Sequence, residues 1–284
     1  MIWKGEKMKL LVTGANGYIG SHVVKQLLDD GHTVYAADIK FDFVDERAIR
    51  LPVNIFEATE NIFKETGEPD VCIHMAWRNG FVHNSDTHIE DLSKHFRFLK
   101  YMMEGGLKHI VVMGSMHEVG YWEGSINENS FTNPMSLYGI SKNTLRQITE
   151  HLAKQYNVCM QWIRGYYILG DDLRSNSVFS KILKAEQEGK KQFPFNSGKN
   201  KYDFIEIHEL AKQISAVAEQ TEITGIINCC SGEPIALADK MEEFIEQHNL
   251  KIRLEYGAFP DREYDSPAVW GDNTKISKIM EKKK

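Results

Sequence analysis

Lys9-Leu10-Leu11-Val12-Thr13-Gly14-Ala15-Asn16-Gly17-Tyr18-Ile19-Gly20 is the stretch on which the fold turns. Residues 9–12 read as a buried strand, glycines follow at every third position from Gly14, and residues 21–28 carry apolar side chains at helical spacing. Strand, glycine turn and helix in this order build a phosphate cradle. The first glycine permits the tight turn, the second lets backbone approach a pyrophosphate, and the third lets helix and strand pack closely. N–H groups at the helix start then face the anion. A glycine triplet alone is a weak signal, but here both flanks have the required pattern. Val34-Tyr35-Ala36-Ala37-Asp38 supplies a second strand that ends in an acid about twenty residues on. That carboxylate can accept from both ribose hydroxyls of NAD and would repel a 2′-phosphate, so NADP is the less favoured cofactor.

The chain has 284 residues, 42% of them hydrophobic, enough to bury a full core. A net charge of −6 argues against nucleic acid and anionic membrane as partners. No stretch approaches the roughly 20 apolar residues of a membrane span. Residues 1–7 lack the apolar core of a signal peptide, so the expected compartment is the cytoplasm. Cys72, Cys159, Cys229 and Cys230 have no metal-ligand spacing and read as buried thiols. His74, His83, His88 and His95 are dense but not arranged for zinc, and no metal is expected.

Further along, Leu51-Pro52-Val53-Asn54-Ile55 reads as a third strand. Asn54 there can meet an adenine edge or simply close a turn. Val71-Cys72-Ile73-His74-Met75-Ala76 reads as a fourth strand. Residues 86–103 read as one long helix with Ile89, Leu92, Phe96, Leu99 and Met103 on its apolar face, stopped by Gly105-Gly106. His109-Ile110-Val111-Val112-Met113-Gly114 is a fifth strand. This alternation predicts a parallel, doubly wound α/β sheet.

Ser115 follows the fifth strand, where open parallel sheets place their chemistry. Tyr138 and Lys142 are four apart on a helix and share one face. A phenol of pKa about 10 is a poor base at neutral pH. A neighbouring ammonium favours the phenolate, so Lys142 is expected to lower the Tyr138 pKa. Ser115 can share a substrate oxygen with Tyr138 and steady charge building there. Trp77, Arg78, Asn79 and His83 follow the fourth strand at the mouth of this site and read equally as substrate contacts or as a loop with aromatic packing.

These motifs together resemble the extended short-chain dehydrogenase/reductase family of nucleotide-sugar epimerases, dehydratases and ketoreductases, over nearly the whole chain. Thr13 to Gly20 is similar to its cofactor loop, which implies NAD contacts from Gly14, Asn16, Gly17, Tyr18, Ile19 and Gly20 with Asp38 on the ribose. Asn54, Ile55 and Ala76 (the last in the His74-Met75-Ala76 segment) are implied to join them. Ser115-Met116-His117-Glu118-Val119-Gly120 resembles the segment of the catalytic serine, and residues 134–142 resemble the Tyr-x-x-x-Lys helix. The resemblance implies a catalytic trio of Ser115, Tyr138 and Lys142, with Tyr138 and Lys142 also touching the cofactor. It implies substrate contacts from Trp77, Ser115, His117, Tyr202 and Arg262, the arginine gripping a pyrophosphate. The implied fold is a Rossmann sheet: residues 1–170 bind the dinucleotide, and residues 171–284 mix a small C-terminal substrate lobe with segments returning to the sheet. Family members commonly pair through helices near residues 86–103 and 138–155, so a homodimer is expected.

Departures narrow the chemistry. The 4,6-dehydratases carry an Asp-Glu pair where this chain has Met116 and His117, which argues against dehydration. Tyr202 stands where an arginine is common, and Asp171-Asp172 where a proline is common. The expectation is NAD-dependent hydride transfer at a sugar carbon, C4, of a nucleotide-linked sugar, as a 4-ketoreductase. A 4-epimerase with retained NAD is the alternative. A silent NAD-binding sensor or scaffold is a third reading, disfavoured by the intact Tyr-Lys pair.

Overall fold

Leu10 and Val12 point to one face of their strand and Leu11 to the other, and all three are fully buried. A strand apolar on both faces needs cover on both. The computed structural model describes residues 7–170, 173–174, 177–261 and 265–283. The first half runs β1 (Lys9–Thr13), α1 (Tyr18–Asp29), β2 (Thr33–Asp38), β3 (Ile49–Pro52), α2 (Ile62–Glu65), β4 (Val71–His74), α3 (Thr87–Glu90), α4 (Leu92–Gly105) and β5 (His109–Ser115). Then come β6 (Gly124–Ile126), α5 (Leu137–Tyr156), β7 (Cys159–Gly165), β8 (Tyr167–Leu169), α6 (Val178–Gln187), β9 (Gln192–Pro194) and β10 (Lys201–Glu206). The chain closes with α7 (Ile207–Ala218), β11 (Gly225–Cys229), β12 (Pro234–Ala236), α8 (Leu237–Gln247), β13 (Arg253–Glu255), β14 (Ala268–Gly271) and α9 (Thr274–Lys283).

Seven strands form one parallel sheet in the order β11-β7-β5-β4-β1-β2-β3. The order reverses between β1 and β4, the point where such sheets open a crevice. Thr13 of β1 pairs in register with Ala37 and His74, and Ser115 of β5 pairs with Gly165, so these residues share the carboxyl edge. One face is covered by Val23 and Leu27 of α1, Leu210 and Ile214 of α7, and Ile276 of α9. The other is covered by Leu99 and Met102 of α4 and Leu145 and Leu152 of α5. Burial at such positions stabilises by about 1.5–3 kcal/mol per large aliphatic side chain. Cys229 and Cys230 are buried on opposite sides of the β11 end, in different core clusters.

A second sheet, β12-β10-β14-β6 with β8 on β10, and a β13–β9 pair form the smaller unit. Phe179, Phe204, Met241 and Phe244 are part of its core. Its turns converge on the fully buried carboxylate of Asp203. Oδ1 accepts from Ser231 N (2.9 Å) and Oγ (2.7 Å), and Oδ2 accepts from Gly232 N (2.9 Å) and Gly271 N (3.1 Å). Among the described residues, no helix is long and apolar enough to cross a membrane.

Two local expectations are corrected. The third strand begins at Ile49, two residues earlier than expected, and ends at Pro52, three residues earlier, because Asn54 caps a single 3-10 turn at Ile55–Glu57. The expected helix over 86–103 is two helices, broken at Asp91. Its buried face is His88, His95, Phe98, Leu99, Met102 and Met103, while Ile89 and Phe96 are 48% and 38% exposed. Paired imidazoles fill positions that an apolar count assigns to their neighbours.

Candidate active site

The glycine loop is shaped by close backbone approach. Gly14 adopts φ +68°, and a Cβ there would lie 2.7 Å from the Cα and N of Ala76; one on Gly20 would lie 2.1 Å from the Gly14 carbonyl oxygen. Gly17 caps α1 without a side chain, so the helix start offers backbone N–H to an anion. Asp38 is oriented toward this loop: its Oδ2 accepts from Asn16 N at 3.0 Å and its Oδ1 from Ile39 N at 2.7 Å. Asn16 Oδ1 in turn accepts from Phe43 N at 2.8 Å. A glycine cradle a Cβ would fill, an uncapped helix start and an ordered carboxylate fit a dinucleotide with a free 2′-hydroxyl. Ala76 donates its N–H to Thr13 Oγ1 at 3.3 Å, which ties the β4 end to the loop. The Asn54 oxygen accepts from Phe56 N at 3.1 Å, and Ile55 is buried in the core.

Ser115 ends β5 and caps the 3-10 turn Met116–Glu118. Its Oγ accepts from His117 N at 3.3 Å. Ser136 caps α5 by accepting from Gly139 N at 3.2 Å, which sets Tyr138 in the first turn. Tyr138 N donates to the His83 carbonyl at 2.8 Å, so the loop after β4 is pinned to the same helix start. The Ser115 side chain faces the Tyr138 phenol closely enough to oppose the upward shift of its pKa. Lys142, one turn on and 3% exposed, donates from Nζ to the Met113 carbonyl at 2.7 Å. The sequence trio therefore converges at the carboxyl edge.

The electrostatics correct one expectation. The Tyr138 pKa is pushed up to about 12, chiefly by burial, with the Ser115 side chain opposing. Lys142 is pushed down to about 7, again by burial. Desolvation outweighs the ammonium here because Nζ is 5.9 Å from the Tyr138 ring centre and engaged elsewhere. Tyr138 is thus a neutral acid at physiological pH.

Aromatic rings surround the phenol. His83 stacks on it at 5.4 Å and 11°, and His88, His117 and Trp77 approach it edge-on at 5.4, 6.0 and 6.0 Å. Burial lowers His117 to about 4 and also lowers His83, so both stay neutral. Arg78 is held by Asp91 through two bonds of 2.6 and 2.7 Å. Tyr202 lies apart from this cluster, in the core of the smaller unit against Tyr167 at 4.4 Å. Arg262, Asp171 and Asp172 lie outside the described residues.

The motif reading missed what fixes Ser115. Glu118, fully buried, accepts the Ser115 N–H at 2.7 Å and Trp162 Nε1–H at 2.9 Å. Arg164 Nη2 and Arg146 Nε stand 3.7 and 3.9 Å from its other oxygen. Burial raises the Glu118 pKa, while Arg164 opposes this. An arginine inside the apolar β7 strand was the available signal, because a buried guanidinium needs a buried acceptor. Among the described residues, no group of three or more His, Cys, Asp or Glu side chains could hold a metal ion.

A family model described as the NAD dependent epimerase/dehydratase family matches residues 10–230. The dTDP-6-deoxy-L-talose 4-dehydrogenase (NAD(+)) of Aggregatibacter actinomycetemcomitans is 45% identical over 273 residues, covering 93% of this chain and 99% of the relative. A probable UDP-glucuronate 4-epimerase of Rhizobium meliloti is 25% identical over 232 residues, covering 73% of this chain and 67% of the relative. Among solved structures, the UDP-N-acetylglucosamine 4-epimerase of Methanobrevibacter ruminantium superimposes with TM-score 0.84 at 20% identity, covering 96% of this chain and 92% of that one. The UDP-glucose 4-epimerase of Thermus thermophilus, solved with NAD, gives 0.79 at 20% identity, covering 95% and 92%. At that identity the structures speak for the fold, whereas the sequence match at 45% spans nearly the whole chain. The chain belongs to the NAD-dependent epimerase/dehydratase family.

Proposed function

We propose that this protein moves hydride between NAD and C4 of a nucleotide-linked sugar, as a 4-ketoreductase whose reverse reaction is a 4-dehydrogenation. The observation that carries the reading is the convergence at the carboxyl edge of Ser115, at the end of β5, and Tyr138, in the first turn of α5, with Lys142 one turn further on and bonded to the Met113 carbonyl. Gly14, Asn16, Gly17, Tyr18, Ile19 and Gly20 hold the cofactor pyrophosphate, Asp38 its adenosine ribose, and Asn54, Ile55 and Ala76 the adjoining wall. When bound, NAD supplies the hydride donor or acceptor. Tyr138, kept neutral by burial, gives its proton to the C4 oxygen in the reductive direction. Ser115 donates to the same oxygen as negative charge builds there. Lys142 binds the nicotinamide ribose and restores the tyrosine proton.

The 45% identical relative is named for a dTDP-linked 6-deoxyhexose, and this supports the same substrate class here. Trp77, His117, Tyr202 and Arg262 are assigned to the substrate side, and the unit built on β10 to the substrate lobe. A cytoplasmic homodimer is part of the reading: Ile89, Phe96 and Ile140 leave apolar surface on the helices α3, α4 and α5. The test is to mix purified protein with NADH and a dTDP-4-keto-6-deoxyhexose. Stoichiometric NADH loss with a reduced sugar product is expected; interconversion of C4 epimers without net NADH change overturns the reductase in favour of an epimerase.

A further inference from the structure

Lys142 is buried, yet among the described residues its ammonium donates one hydrogen bond, to the Met113 carbonyl. What else faces it is the indole of Trp77, whose ring centre lies 3.9 Å from Nζ. A cation this close to an indole face is attracted by the ring's negative quadrupole, more strongly where water is excluded. The carboxylate that acts on the lysine, Glu118, is itself caged by Trp162 and Arg164.

The indole is held from two sides. Its Nε1–H donates to His88 Nδ1 at 3.0 Å, which leaves His88 Nε2 to donate to the Val82 carbonyl, also at 3.0 Å. Its other support is His95, stacked at 4.7 Å and 14°. His95 is bonded to His74 at 2.9 Å, and His74 to the Thr13 hydroxyl at 2.9 Å. A line of contacts thus runs from the end of β1, where the glycine loop starts, to the lysine.

We propose that Trp77 is the positioning residue for Lys142: its indole face, seated by His88 and His95, takes the place of a counter-ion and holds the ammonium beside Tyr138. This rests on reading Lys142 as the ammonium partner of Tyr138, and it moves Trp77 from substrate contact to lysine support. The titratable groups around Nζ are Tyr138 one turn back, Glu118 in the turn after β5, and the His74–His95 pair behind the indole. Burial keeps both of those imidazoles neutral, and the charges that reach His95 from beyond them, Arg78 and Lys94, are both paired with Asp91.

The test is the titration of Lys142 in cofactor-free protein, followed by NMR of isotope-labelled lysine Cε and assigned by loss of the signal in Lys142→Met. The wild-type midpoint is expected at about 7. Trp77→Leu removes the ring face and is expected to lower the midpoint by roughly half to one pH unit. Trp77→Phe retains most of it. The pH above which kcat/KM declines should move the same way, with the sugar KM little changed. A Trp77→Leu midpoint equal to wild type overturns the proposal, as does a raised KM with an unmoved midpoint. Should Trp77→Leu fail to fold, global fluorotryptophan replacement weakens the ring face while keeping its shape. It should lower the midpoint in wild type and not in Trp77→Phe; no change in wild type overturns the proposal equally. Unimpaired activity in Lys142→Met would instead strike the reading of Lys142, since the midpoint is read without turnover.

Discussion

His74 Nε2 and His95 Nδ1 lie 2.9 Å apart in the core between β4 and α4, so the two buried imidazoles share one proton. Burial holds His74 well below the usual histidine range and His95 down to about 3. The unfolded chain takes up protons as pH falls below about 6.5, while the folded pair does not. Stability is therefore full above that pH and declines as pH drops. At pH 5 the loss is about 2 kcal/mol for each such histidine. Urea unfolding at pH 7 and pH 5 should show it, and His95→Phe should flatten the slope. An unchanged unfolding free energy between the two pH values would refute this account.

Tyr138→Phe removes the acid and leaves the ring stack in place. Its kcat should fall about a hundred- to ten-thousand-fold, with the NADH dissociation constant within a few-fold of wild type by fluorescence titration. Ser115→Ala should cost about a hundred-fold or more in kcat.

Lys142→Met is expected to trade activity for stability. Burial pushes the folded lysine down to about 7 from an ordinary value of 10.5. Below the folded value, both states are protonated and the folded state carries the full burial penalty. That penalty fades as pH rises toward the unfolded pKa, where the unfolded lysine also loses its charge. The variant should therefore gain several kcal/mol, to order of magnitude, at pH 6 and much less at pH 10. Chemical unfolding at the two pH values measures the difference, and an equal gain at both would contradict a buried cation.

Asp38→Ser should raise the KM for NADH and improve NADPH use, narrowing the preference by roughly ten-fold or more, since the carboxylate both accepts from ribose and repels a 2′-phosphate. Steady-state kinetics with both cofactors decides it. An unchanged ratio would take the ribose away from Asp38.

Asp203→Ala should destabilise by about 3 kcal/mol or more, because it leaves buried N–H groups at Ser231, Gly232 and Gly271 without their acceptor. A thermal midpoint within a degree or two of wild type would show that the turns hold without it.

The glycine loop, Asp38, Ser115 and the Tyr138–Lys142 pair were legible because each is a local pattern: residue type, spacing and the strand or helix beside it. The break at Asp91 was not. That carboxylate is 2% exposed and engaged by Arg78 and Lys94, partners that no periodicity count pairs with it. Nor was the exchange of Phe96 for His95 on the buried face, since an imidazole belongs in a core only once its partner is known. The Tyr138 pKa went the opposite way from expectation for a similar reason. Spacing along a helix gives proximity, but how much water is removed depends on the loop over residues 77–88 folding back upon it.

β6, only three residues long, leaves the first half of the chain to pair with β14 near the end, while β11 crosses back to complete the main sheet beside β7. The two units are laced through each other, and no single cut yields two self-sufficient pieces. A fragment ending at residue 170 would present β7 as a bare sheet edge and β6 as a strand without a mate. Grafting a relative's sugar-holding unit onto this nucleotide-holding one would need two seams rather than one, which leaves loop-by-loop change as the simpler route to a new sugar preference.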